Sequence, residues 1–94
     1  MFQISREPNG DVKLVGRLDA TAVESAANLF QSINETVSVD FKELEYIASA
    51  GLGVLFAAQK RLQQSGKGLV LINLSNHIRD VFRYARFDLV FEIR

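Results

Sequence analysis

The chain has 94 residues, of which 48% are hydrophobic, enough for one compact domain with its own core and too few for two. Eleven basic residues balance eleven acidic ones, which argues against nucleic acid or an anionic membrane surface as the partner of the whole molecule. There is no cysteine, no signal-peptide pattern in "MFQISREPNG" and no apolar run near the ~20 residues of a membrane span, so a cytoplasmic location without membrane insertion is expected.

The charge is uneven along the chain. Through Glu45 acids outnumber bases, and from Lys60 onward bases outnumber acids, a division that would orient a protein partner if it survives in three dimensions. The only proline lies in "EPNGD", whose turn residues separate two strand candidates, Phe2 to Arg6 and Val12 to Gly16; this is the pattern of a hairpin. After "GRLDA", the set Val23, Ala26, Ala27, Phe30 and Ile33 has the three- and four-residue spacing of a buried helical face, with Asp19 or Thr21 as its cap. "TVSVDF" alternates as a strand does, and "KELEYIAS" is expected to be a connection.

From Ala50 to Gln64, Leu52, Leu55, Phe56 and Leu62 form a second helical stripe that Gly66 and Gly68 are expected to end. "LVLINL" has the continuous apolar character of a central strand buried on both faces. "SNHIRDVFRYA" predicts a third helix capped by Ser75 or Asn76, and Leu89 to Ile93 is the last strand candidate. The resulting order, β-β-α-β-α-β-α-β, has no repeat and no linker. Two strand–helix–strand crossovers predict an α/β fold with a partly parallel sheet, a single domain over residues 1–94.

Few constellations of catalysis are present. There is no phosphate loop, and "GLG" at Gly51 to Gly53 lacks both the third glycine and the preceding strand of a dinucleotide site; its glycines are expected to permit close helix packing. His77 is the only histidine, so no metal set and no cofactor is expected. A triad of Ser49 and His77 with Asp19, Asp40 or Asp80 lacks the G-x-S-x-G turn around its nucleophile. The phenylalanines fall at core spacing rather than forming a stacking platform.

One hydroxyl stands out. Ser49, in "YIASAGLGVL", opens the second helix among Ala48, Ala50 and Gly51. Two readings stand side by side: a helix N-cap, and an accessible acceptor of a phosphate that the positive end of the helix would tolerate.

Three blocks, "LVGRLDA", "VDFKELEYIASAGLGVL" and "LVLINLSNHIRDVFRYARFDLVFEI", together resemble the anti-sigma factor antagonists, which carry the STAS domain. The resemblance covers nearly the whole chain. It implies a mixed sheet of four to five strands covered by about three to four helices, and a non-enzymatic binding module switched by phosphorylation. Ser49 matches the position that an anti-sigma factor with serine kinase activity phosphorylates using ATP and that a PP2C-type phosphatase restores. The unphosphorylated form would bind the anti-sigma factor and free the sigma factor for transcription. Asp19 and Asp40 match acidic positions flanking that serine, while Ala48 stands where many members have aspartate. The expected contact surface is Asp19, Asp40, Ala48, Ala50, Gly51, Leu52 and Gly53 with the exposed face of the second helix. The domain is expected to be a monomer when free. The same fold also resembles the cytoplasmic STAS subunit of lipid-transporting ABC complexes, which is the alternative reading.

Overall fold

A computed structural model describes residues 1–94. Five strands, β1 (Phe2–Arg6), β2 (Val12–Leu18), β3 (Val37–Ile47), β4 (Leu69–Ile72) and β5 (Glu92–Ile93), form one sheet whose spatial order is the order of the chain. β1 and β2 are the expected antiparallel hairpin, and every later neighbour is parallel. The crossovers carry α1 (Val23–Gln31), α2 (Ser49–Gln63) and α3 (Asn76–Tyr84); single 3-10 turns occupy Ala20–Ala22 and Phe87–Leu89.

Each crossover steps the same way across the sheet, so right-handed connections place all three helices on one face. The strands agree. Val12, Leu14 and Leu18 of β2 and Val37, Val39 and Phe41 of β3 are buried in a single cluster with Phe30, Leu55, Leu62, Ile78 and Phe82 of the helices. Lys13, Val15 and Arg17, with Ser38 and Asp40, alternate onto the opposite, open face. The phenylalanines fill this core: Phe82 meets Phe41 and Phe91 edge-on at ring-centroid distances of 5.8 and 5.7 Å.

Several boundaries differ from the sequence expectation. "KELEYI" is not a connection but the second half of β3, paired with Val15 to Leu18. Two register shifts each insert an extra β3 residue, so the inward side chains Phe41, Leu44 and Ile47 are three apart instead of two, which hides the strand period. The centre of the sheet is β3, whereas β4 lies between β3 and the two-residue β5. Leu69, Val70 and Leu71 are all buried, but Ile72 only half so. The last strand is also shorter than expected, because Leu89 belongs to a 3-10 turn and is largely exposed.

Gly66, at φ +73°, follows the end of α2 as expected, whereas Gly68 does something else: a Cβ there would lie 3.3 Å from the side-chain oxygen of Gln59. Gln59 is the one buried polar residue. Its Oε1 accepts from Leu69 N at 2.7 Å and its Nε2 donates to Val90 O at 3.0 Å, tying α2 to β4 and to the turn before β5. Gln59→Leu keeps the volume but strands both backbone groups, and is expected to lower stability by about 2 kcal/mol, measured as a shift of the urea midpoint at unchanged slope.

Candidate functional site

The site forms where the parallel strands β2 and β3 end together. Leu18 is level with Ile47, and Ala48 N donates to Leu18 O at 2.9 Å, so the two chains leave the sheet side by side, one through Asp19 and the other through Ser49.

Asp19 is extended and caps the 3-10 turn before α1. Its Oδ1 accepts from the Thr21 hydroxyl at 2.6 Å and from Thr21 N at 3.0 Å. The hydroxyl bond holds the carboxyl below the usual aspartate range, with the Thr21 N–H and the charges of Arg17 and the amino terminus acting in the same direction. Because the folded value is depressed, the stability that this ionised cap adds is present above the unfolded aspartate value and is lost as pH falls through the folded one. Following the Asp19 side-chain carboxyl carbon by NMR is expected to show a titration below that of a free aspartate; Thr21→Val should move it back upward, and Thr21→Ser should not.

Ser49 is not the N-cap. That position belongs to Ala48, whose φ of −92° and ψ of 168° turn the chain from strand to helix without a side-chain hydrogen bond. Ser49 is the first helical residue and is exposed, and its hydroxyl makes no hydrogen bond within the chain. The first helical bond runs from Leu52 N to Ala48 O, so the N–H groups of Ser49, Ala50 and Gly51 precede the ladder and have no helical acceptor.

Gly51 explains how α2 comes so close to β2. A Cβ there would lie 2.7 Å from Leu18 Cγ and 2.8 Å from Leu18 O. Gly51 and Leu52 are therefore buried parts of the scaffold and do not belong to an exposed contact surface, whereas Ala50 and Gly53 are exposed and Ala48 is half-buried. Gly53 needs no close helix packing, since a Cβ there would meet nothing within 4 Å.

Asp40 does not flank Ser49. It is level with Lys13, five β2 residues below Leu18, a separation of roughly 16 Å from the strand end. There it accepts from Lys42 N at 2.9 Å and from the side-chain amide of Asn73 at 3.0 Å, bracing the end of β4.

Two features were missed from the sequence. An apolar groove of about 390 Å³ separates α1 from α2, lined by Val23, Ala27, Phe30, Ala50, Gly53 and Val54 among others. Its signal was the run of small residues Ala50, Gly53 and Ala57 on the side of α2 opposite its leucines. Arg61 closes the far end, donating to Phe30 O at 2.8 Å and Ile33 O at 2.6 Å, the last carbonyls around α1. No three metal-ligating side chains converge, and no helix is long and apolar enough to cross a membrane.

A small one-faced sheet thus presents an exposed serine and an ionised aspartate at one rim. The family described as "Mlab, STAS domain" matches residues 2–92, and the chain belongs to the STAS domain family. The anti-sigma-B factor antagonist of Listeria monocytogenes is 34% identical over 88 residues, covering 89% of this chain and 77% of that protein. BtrV of Bordetella bronchiseptica is 40% identical over 57 residues, 61% of this chain; the aligned part spans only 49% of the BtrV sequence, about half its length. Among solved structures, the anti-sigma factor antagonist SpoIIAA in its unphosphorylated form has the same fold, with a TM-score of 0.71 at 24% identity over 100% of this chain and 87% of SpoIIAA. An anti-sigma factor antagonist of Mycobacterium paratuberculosis superposes with a TM-score of 0.82 at 15% identity, over 99% of this chain and 83% of its own.

Proposed function

We propose that this chain is an anti-sigma factor antagonist whose binding is switched by phosphorylation of Ser49. In its unphosphorylated form it binds an anti-sigma factor with serine kinase activity in the cytoplasm and so releases a sigma factor; a PP2C-type phosphatase resets it. It acts by binding and is not itself an enzyme.

The observation that carries this reading is the state of Ser49: exposed, unspent as a cap, and placed on the first turn of a helix with free N–H groups. A phosphate there adds about −1.5 to −2 charges next to the positive end of the α2 dipole, so the fold accommodates it. A partner packed against the same hydroxyl would have to desolvate a dianion, with the acidic Asp19 at the end of the neighbouring strand. The contact surface is then Asp19, Ala48, Ser49, Ala50 and Gly53, with the mouth of the α1–α2 groove beneath them.

Pull-downs from the cells of origin with wild type, Ser49→Ala and Ser49→Asp test this. A protein with a serine kinase fold is expected with wild type and Ser49→Ala and not with Ser49→Asp. Equal recovery by all three contradicts the switch.

A further inference from the structure

The sheet has two edges. β5 is only two residues long, but β1 presents a full strand with no neighbour on its outer side. Met1 O accepts from Arg17 N at 3.0 Å, Glu7 N donates to Asp11 O at 2.7 Å, and the antiparallel register between these points is unbroken. Bonded and non-bonded pairs alternate in such a ladder. Gln3 and Ser5 therefore spend their backbone groups on β2, while the N–H and C=O of Phe2, Ile4 and Arg6 point outward. None of the usual devices blunts this edge: Phe2–Arg6 contains no proline, no lysine and no bulge, and Pro8 follows only after the last outward residue. The side chains of Phe2 and Ile4 pack against the core on the helix side yet are only half-buried. A hollow of about 600 Å³ follows the strand, lined by both of them and by Ser25 of α1, and leaves room for a neighbouring strand.

We propose that β1 pairs with β1 of a second copy of this chain, antiparallel about a two-fold axis at Ile4, so that the two sheets become one. The edge is complementary to itself. With Ile4 opposite Ile4 of the second copy, Phe2 stands opposite Arg6, and each outward residue exchanges its N–H and C=O with a residue that also points outward. A shift of the register by two residues in either direction leaves Phe2 or Arg6 unpaired, because Pro8 has no N–H to offer and nothing in the strand precedes Phe2 on that spacing. On the helix side, the half-exposed Ile4 side chains close on each other and Phe2 lies against Arg6 of the second copy. On the open side Gln3 faces Ser5, so no like charges meet at the seam. The seam lies on the far side of β2 from β3, which leaves both Ser49 rims open. The inference does not depend on what Ser49 does.

Sedimentation velocity of the full chain over a wide dilution series, with amide hydrogen exchange followed by NMR on the same samples, tests this. The wild type is expected to pass from monomer to dimer as concentration rises. Over that range the Ile4 and Arg6 amides should slow by about tenfold or more, while those of Gln3 and Ser5, bonded to β2, are protected at every concentration. Gln3→Glu with Ser5→Glu sets like charges opposite each other at the seam, where the side chains of a non-bonded pair are closest. Its dimer dissociation constant should rise by about tenfold or more, with the urea midpoint of the dilute monomer unchanged. Gln3→Lys with Ser5→Glu sets opposite charges there and should restore the dimer. A wild type that stays monomeric throughout, as the sequence expectation has it, overturns the proposal. So does a dimer whose Ile4 and Arg6 amides exchange at the monomer's rate, or one that both double variants affect alike, since either result puts the seam on another surface.

Discussion

Ser49→Asp is expected to weaken binding to the kinase-type anti-sigma partner by two orders of magnitude or more while leaving the fold as stable as before. The first half follows from desolvation and repulsion: a carboxylate at the contact, with Asp19 at the neighbouring strand end, costs a docked partner several kcal/mol, and each ~1.4 kcal/mol is a factor of ten. The second half follows from position. An acidic residue on the first turn faces the helix dipole favourably by about 0.3–1 kcal/mol, which offsets the repulsion from Asp19. Calorimetric titration measures the first and thermal unfolding the second. Ser49→Ala separates charge from hydroxyl: the Ser49 hydroxyl has no partner within the chain, so the alanine variant should fold normally and bind nearly as wild type does.

The second large effect concerns the seat of that serine. Gly51→Ala is expected to destabilise the domain by about 3 kcal/mol, the upper end of what overpacking usually costs, because one of the obstacles 2.8 Å away is the backbone oxygen of Leu18, which accepts from Ala48 N and cannot rotate aside. A side chain at Gly51 must lift the start of α2 from the end of β2, and Ser49 moves with it. The urea midpoint should drop sharply and partner affinity should fall with it. Gly53→Ala is the matching control: its Cβ meets open space, and alanine is the better helix former, so stability should rise by about 0.5–1 kcal/mol.

This pair also shows where a sequence is legible. Both glycines occur in "AGLGV", and nothing local distinguishes the one pressed against Leu18 from the one facing solvent; only the strand ends on which α2 rests do so. The hairpin, the three helices and the parallel crossovers were readable because turn residues and apolar spacing state them directly. The second half of β3 was not, since its two bulges stretch the spacing of Phe41, Leu44 and Ile47 to three residues and break the alternation by which strands are recognised. Ser49 stands out by its setting among small residues, but the cap falls one position earlier, on Ala48, and that shift leaves the hydroxyl free. The family resemblance groups Asp40 with Asp19, although the strand register holds them far apart. Arg61 is not legible in the sequence, because its role needs the neighbouring helix whose carbonyls it binds.

The most direct measurement begins with the chain bound to the kinase-type partner recovered from its own cells. Magnesium and ATP are added, and the complex is followed by gel filtration and by mass spectrometry of residues 43–60. A phosphate on Ser49 that accumulates in step with release of the chain, with a Ser49→Ala complex that stays together, is the predicted result. Release at the same rate from the Ser49→Ala complex, or a chain phosphorylated on Ser49 that remains bound, would contradict the account.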